Sequence, residues 1–147
     1  MYDAPFTLHE LLHATGGRLV GDNAPSAVES VFTDTRETTR NGLFLAFSGE
    51  TFDAHDYLAQ AVANGATLLC IEDSKADKLP PGAPAILVPS TVTAFQHIAR
   101  FHRMRLPNLK VILLSGSCGK TSTKESLRAI FEHALDSISV LATEGNT

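Results

Sequence analysis

The sequence lacks long apolar runs, a strong excess of one charge and a cysteine framework. Its 147 residues carry 12 basic and 16 acidic side chains, a formal net charge of −4. Such a chain has no general attraction for nucleic acid or anionic lipid. No stretch approaches the roughly 20 apolar residues of a membrane helix, and the first residues lack the pattern of a secretory signal. We therefore expect neither a nucleic-acid nor a membrane partner, and any anionic ligand must be held locally.

The two cysteines also exclude common cysteine sites. Cys70 ends an apolar run and Cys118 lies far away in a glycine-rich loop, which is neither a zinc spacing nor a disulfide pattern. Cys118 has no histidine at a spacing typical of a nucleophile pair, so we interpret it as a loop residue. A reducing, cytoplasmic location is the simplest interpretation.

What the sequence does contain is an alternation of helical and extended patterns. Hydrophobic residues make up 44% of the chain, enough for one sizeable core. Thr7 and Glu10 have capping-box spacing, so a helix is expected to begin there and to end at Gly16 and Gly17. Apolar runs at 31–32, 43–47, 68–71 and 86–88 predict strands, and stripes over 57–62 and 92–102 predict helices. The pattern predicts a layered α/β domain.

A second region is expected to begin after this domain. Pro107 follows the long helical pattern and precedes a new apolar run, Val111 to Leu114, which predicts a buried strand. We therefore place the domain boundary there, with one domain over 1–107 and the start of another over 108–147. An incomplete sheet leaves strand edges unpaired, so we expect the last forty or so residues to be loosely held or stabilised by a partner chain.

The strongest chemical signal is the glycine-rich loop that follows this predicted strand. Gly116 and Gly119 lack a Cβ, so backbone N–H groups can surround a phosphate at the start of the next helix. Lys120 can neutralise the β and γ phosphates and is the candidate catalytic residue, and Thr121 can ligate magnesium. The match to the phosphate-loop pattern G-x-x-x-x-G-K-[ST] is imperfect, because Leu114 stands in the place of the first glycine. Candidate nucleotide-binding residues are Ser115, Gly116, Ser117, Cys118, Gly119, Lys120, Thr121 and Ser122.

A chance Lys-Thr pair in a glycine-rich turn is the alternative interpretation of this loop. Against it, the loop is flanked by an apolar run and by an amphipathic helical pattern formed by Leu127, Ile130, Phe131 and Leu135. The coincidence of these features favours nucleotide binding.

Three segments resemble the Mur ligases of peptidoglycan synthesis. FTDTR at 32–36, with NGLFLAFSGETFDAHDY at 41–57 and AVANGATLL at 61–69, is similar to the UDP-binding domain of the ligases that add the third residue and the terminal dipeptide. GSCGKTSTKESL at 116–127 resembles the ATP loop of the family, and TEGNT at 143–147 resembles a segment of the dipeptide-adding branch.

The resemblance implies a fold, an activity and substrates. The fold would be a small N-terminal α/β UDP-binding domain, followed by the first strand, P-loop and helix of an ATPase-type central domain. The activity would be an ATP-dependent, magnesium-dependent ligation. The γ-phosphate would activate the carboxylate of UDP-N-acetylmuramoyl-tripeptide, and the amine of D-alanyl-D-alanine would attack the acyl phosphate. Members of the family continue well beyond this length, so we expect no ligation by the 147-residue piece alone. We expect the full-length parent to be monomeric.

The resemblance also assigns substrate-binding residues. Thr35 and Arg36 match the family motif for the UDP moiety, and an arginine fork can hold a phosphate bidentately. Ser48 and Gly49 follow a strand at the edge where α/β sheets bind ligands, so they are candidates for the diphosphate or uracil. The residues alone leave an alternative for Arg36, which could instead pair with Asp34 or with Glu37.

Asp53, His55 and Asp56 invite a metal-site interpretation. Because they lie at a helix entrance, where aspartate caps are common, capping is the preferred interpretation.

Three departures from the family pattern bear on these assignments. Ser115 stands where threonine is usual, Leu113 where glycine is common, and Ala54 where the Asp-Gly-His motif has glycine.

The alternative functions are the related ligase that adds the diamino acid, a stand-alone UDP-sugar-binding module and an unrelated P-loop ATPase or kinase.

Overall fold

The computed structural model describes residues 5–37, 39–134 and 140–143. The chain divides into two compact units, Met1–Pro107 and Asn108–Thr147. Leu135 and the TEGNT ending beyond Thr143 lie outside the described residues. In the part of the chain that the structure describes, no helix is both long and apolar enough to cross a bilayer.

A five-stranded sheet forms the centre of the first unit. The strands of this unit are β1 Phe6–Thr7, β2 Arg18–Val20, β3 Ala27–Val28, β4 Ser30–Phe32, β5 Gly42–Leu45, β6 Ala66–Glu72 and β7 Ala85–Val88. The order of the five-stranded sheet is β2-β7-β6-β5-β4, with β4 to β7 parallel and β2 antiparallel to β7. A separate two-stranded sheet pairs β1 with β3.

Helices cover both faces of this sheet, which is why β5 and β7 are buried along their whole length. The helices are α1 Leu8–Thr15, α2 Leu58–Ala63 and α3 Thr91–Met104, with 3₁₀ helices at Ala54–Tyr57 and Asp73–Lys78. Because side chains alternate along a strand, Leu43 and Leu45 pack with α1 and α3, whereas Phe44 packs with α2 on the opposite face. The predicted layered α/β class is confirmed.

The start of α1 confirms the predicted capping box. The Thr7 N–H donates to Glu10 Oε2 over 2.8 Å, and the Glu10 N–H donates to Thr7 Oγ1 over 3.2 Å. Gly16 then ends the helix in the left-handed conformation, with φ of 65°. The box thus satisfies backbone donors that a helix start would otherwise leave unpaired.

In the second unit, the predicted strand Val111 to Leu114 is wrong. Residues 109–116 form no strand, and α4, Lys120–Ala134, is the secondary-structure element of this unit within the described residues. Val111, Ile112 and Leu113 are 64, 56 and 89% exposed. A strand forms only beside a hydrogen-bonding neighbour, and the described residues of this unit offer none.

Candidate functional site

A cavity of about 530 Å³ opens at the carboxyl edge of the parallel strands. The loop after β4 forms one wall, and the segment that follows β5 forms the other. Parallel α/β sheets bind ligands at this edge. The lining residues are Thr33, Asp34, Thr35, Arg36, Phe52, Ala54, Tyr57 and Gln60.

Thr35 and Arg36, both predicted from the sequence, lie on the first wall. The Arg36 guanidinium pairs with Asp34: Nε lies 2.9 Å from Oδ1, and the Arg36 backbone N–H donates to the same oxygen over 2.9 Å. This pairing, the alternative left open by the sequence, holds the pKa of Asp34 at about 2 through hydrogen bonds from the guanidinium and from the backbone. The Arg36 side chain nevertheless remains 85% exposed at the cavity. An anionic ligand would therefore compete with Asp34 for the fork.

The turn after α2 supports this wall. The Asn64 side-chain amide donates to the Thr35 carbonyl over 2.7 Å, and the Thr39 N–H donates to the Asn64 carbonyl over 3.0 Å. Gly65 has φ of 104°, and a Cβ there would lie 1.8 Å from the Thr39 carbonyl oxygen. The sequence predicted a helix over 57–62, but no sequence signal indicated that Asn64 and Gly65, just after it, hold the Thr35–Arg36 wall.

Two aromatic rings form the opposite wall. Phe52 and Tyr57 stack with centroids 5.3 Å apart and planes 18° apart, and the two side chains are 56 and 42% exposed. The apolar stripe over 57–62 predicted that Tyr57 begins a helix. The structure instead places it at the end of a 3₁₀ helix, with its ring on the cavity. Gln60, on α2, adds an exposed amide to the same wall.

Ser48 and Gly49 are not among the lining residues of this cavity. The Ser48 hydroxyl donates to Asp53 Oδ1 over 3.1 Å, and the Gly49 N–H donates to the Phe52 carbonyl over 2.7 Å. Both polar groups proposed for ligand binding are thus used inside the turn that carries Phe52. The structure gives Ser48 and Gly49 a supporting place behind the aromatic wall.

Asp53 caps the 3₁₀ helix, as the preferred interpretation of the sequence held. Its Oδ1 accepts the His55 N–H over 3.0 Å, and its Oδ2 lies 3.0 Å from Lys78 Nζ and 3.2 Å from Lys75 Nζ. Partial burial alone would raise the pKa of Asp53. The hydrogen bonds from Lys78, His55 and Lys75 outweigh that effect and hold the pKa well below its usual range. Within residues 5–37, 39–134 and 140–143, no cluster of three or more His, Cys, Asp or Glu side chains is placed to bind a metal.

The glycine-rich loop of the second unit surrounds a smaller cavity of about 290 Å³. Lys120 Nζ donates to the Gly116 carbonyl over 2.5 Å, at the start of α4. Gly119 has φ of 77°, a conformation that favours glycine, and a Cβ there would meet no atom within 4 Å. An ammonium, three hydroxyls and a helix N-terminus suit a polyphosphate with its magnesium. The lining residues are Ser117, Gly119, Lys120, Thr121 and Ser122; the predicted Ser115, Gly116 and Cys118 are not among them.

The fold of the first unit, with its cavity at the carboxyl edge of a parallel sheet, belongs to the class of layered α/β domains. No protein-family model matches the chain. It is 38% identical over 138 residues to the UDP-N-acetylmuramoyl-tripeptide--D-alanyl-D-alanine ligase of Haemophilus influenzae, covering 93% of this chain and 29% of the relative. The Escherichia coli ligase of the same name is 39% identical over 140 residues, covering 95% of this chain and 29% of the relative.

Solved structures give the same result. A crystal structure of MurF from Acinetobacter baumannii superposes with a TM-score of 0.78 at 34% identity, covering 90% of this chain and 29% of the other. MurF ligase from Thermotoga maritima in complex with ADP gives a TM-score of 0.55 at 29% identity, covering 71% of this chain and 23% of the other. These comparisons confirm the resemblance that the motifs predicted: the chain belongs to the Mur ligase family. It spans less than a third of the length of these relatives.

Proposed function

We propose that this chain supplies the UDP-sugar site and the ATP phosphate loop of a ligase that joins D-alanyl-D-alanine to UDP-N-acetylmuramoyl-tripeptide. The full ligase is expected to act in the cytoplasm as a monomer. Two observations support the proposal: the relatives are ligases of this name, and a cavity opens at the carboxyl edge of the sheet. That cavity carries the proposal because it pairs an exposed arginine with exposed aromatic rings, the two groups that a nucleoside diphosphate requires.

Each residue of this cavity would have its own role in binding the ligand. The Arg36 fork would hold the diphosphate, with the Thr35 hydroxyl beside it, and the Asn64 amide would keep their backbone in place. Asp34 orients the guanidinium in the absence of ligand and would give way to the stronger anion. Ser48 and Gly49 act through the turn that positions Phe52.

The glycine-rich loop would hold the triphosphate of ATP. Lys120 would exchange the Gly116 carbonyl for phosphate oxygens, and Thr121 would ligate magnesium. The Thermotoga maritima relative was crystallised with ADP, which supports a nucleotide as the ligand. ATP supplies the phosphoryl group that activates the tripeptide carboxylate. The contribution of Lys120 is to offset the negative charge that accumulates when the two anions meet.

Calorimetric titration of the chain with UDP-N-acetylmuramoyl-tripeptide tests this proposal. We expect Arg36→Ala to weaken binding by about 10- to 100-fold, since a hydrogen bond to a charged group contributes roughly 1.5–3 kcal/mol. Arg100→Ala is the matched control, because it removes an exposed arginine of α3 that does not line the cavity. Equal affinities of the two variants would refute the assignment of Arg36.

A further inference from the structure

His55 is the most deeply buried ionisable ring of the described residues, and it lies directly behind the cavity. It is 1% exposed. Its Nδ1 lies 2.7 Å from Asp53 Oδ1, and its Nε2 lies 3.1 Å from the backbone nitrogen of Glu72. Both ring nitrogens therefore have a hydrogen-bonding partner: Nδ1 contacts the residue that caps the 3₁₀ helix, and Nε2 contacts the last residue of β6.

These two contacts define the protonation state of the ring. A backbone N–H can only donate, so Nε2 must accept the hydrogen bond from Glu72 and carries no proton. The ring proton then lies on Nδ1, where it donates to the carboxylate of Asp53. His55 is thus neutral, in the Nδ1–H form.

The ring also joins the aromatic wall to the sheet. Phe52 and Ala54, on either side of Asp53, both line the cavity, and Tyr57 follows two residues after His55. The His55 contact to Glu72 ties this segment to the carboxyl end of β6. A movement of His55 would therefore move the wall.

We propose that His55 is a positioning residue for the cavity, and that the hydrogen bond its Nε2 accepts from Glu72 holds the aromatic wall in place for the ligand. Loss of this acceptor would leave the Glu72 N–H unpaired, so the segment that carries the wall would have to shift to satisfy it. As to the identity of the ligand, the inference rests on the proposed function.

The charged groups around His55 oppose one another. Asp53 contacts Nδ1 of the ring, and Lys75 and Lys78 pair with the same carboxylate. Asp56 engages Lys78 Nζ over 2.6 Å. The Ser48 hydroxyl lies 3.3 Å from Nδ1 and donates to Asp53. The donor on Glu72 is the contact that selects the neutral ring.

Two measurements without ligand test the inference first. The ¹⁵N chemical shifts of His55 should show a proton on Nδ1 and none on Nε2 at neutral pH. Tyr2→Phe leaves Tyr57 as the sole tyrosine, since the chain has two tyrosines and no tryptophan. Acrylamide quenching of Tyr57 should then be stronger in His55→Asn, which cannot reach the Glu72 N–H, than in the wild type or in His55→Gln, which can accept it. A proton on Nε2 at neutral pH, or equal quenching in the three proteins, would overturn the inference.

Ligand binding supplies the third measurement. His55→Gln can still accept the Glu72 N–H, so it should bind UDP-N-acetylmuramoyl-tripeptide with near wild-type affinity. His55→Asn can reach Asp53 but leaves that N–H unpaired, so its affinity should fall about tenfold, the equivalent of roughly one lost buried hydrogen bond. Equal affinities of His55→Gln and His55→Asn would contradict the inference. If the wild type binds no UDP sugar, the proposed function fails, and the ¹⁵N and quenching results alone decide whether His55 positions the wall.

Discussion

Gly65→Ala tests whether the turn after α2 holds the Thr35–Arg36 wall. A Cβ at Gly65 would lie 1.8 Å from the Thr39 carbonyl oxygen, far inside contact distance, and the backbone φ there is 104°. The left-handed backbone costs about 1–2 kcal/mol for a residue with a Cβ. Displacing the backbone of Thr39 adds about 1–3 kcal/mol, the usual cost of overpacking. We therefore expect a loss of about 2–5 kcal/mol in the free energy of unfolding.

Gly82→Ala separates these two contributions. Gly82 also has positive φ, 77°, but a Cβ there would meet no atom within 4 Å. It should therefore cost only the backbone term of about 1–2 kcal/mol. Urea denaturation followed by far-ultraviolet circular dichroism measures both variants. Under conditions in which both variants are folded, Gly65→Ala should also bind the UDP sugar more weakly than Gly82→Ala. A displaced Thr39 would disturb its hydrogen bond to the Asn64 carbonyl, and Asn64 supports the Thr35–Arg36 wall. Equal stabilities for the two variants would refute the close approach at Gly65.

Three further substitutions test the cap of α1, the carboxylate of Asp53 and the phosphate loop. Thr7→Ala removes the capping box of α1 and should lower the free energy of unfolding by about 1 kcal/mol, whereas Thr51→Ala, at an exposed position in a bend, should cost less. The pKa of Asp53 is lower in the folded chain than its ordinary 3.8. Its contribution to stability is therefore full above about pH 4 and is lost as pH falls below that value; acid denaturation of Asp53→Asn should show a smaller loss in the same range. Lys120→Ala should weaken magnesium-ATP binding at least tenfold in calorimetry while leaving UDP-sugar binding unchanged, and unchanged ATP binding would contradict the role of Lys120.

The sequence predicted the parts of the fold that depend on local pattern. β5 and β7 are buried on both faces and appear as continuous apolar runs. The capping box at Thr7 is complete within four residues, so the start of α1 follows from spacing alone. The short strands β2 and β3 were missed because two or three residues carry too little periodicity.

The predicted strand Val111 to Leu114 failed for a physical reason of a different kind. An apolar run shows that residues prefer burial, but a strand also requires hydrogen-bonding neighbours. The described residues of the second unit contain no such neighbour, and the run is exposed.

The candidate site was only partly predictable. Thr35 and Arg36 follow a strand at the correct edge of the sheet, which motif and topology together indicate. The aromatic wall was missed because Tyr57 also fits a helical apolar stripe, and only the three-dimensional structure shows its ring stacked on Phe52. Ser48 was placed in the cavity because it follows a strand. Its hydroxyl is instead directed to Asp53, five residues later, and local sequence does not reveal that contact.

Amide chemical-shift mapping of the ¹⁵N-labelled chain, during titration with UDP-N-acetylmuramoyl-tripeptide, tests most directly whether this cavity binds the UDP sugar. We expect saturable shifts concentrated at residues 33–36 and 52–60, the two walls of the cavity. Arg36→Ala should move the same resonances only at higher ligand concentration. Saturable shifts that avoid both walls, or their absence at millimolar ligand, would contradict the claim that this cavity is the UDP-sugar site.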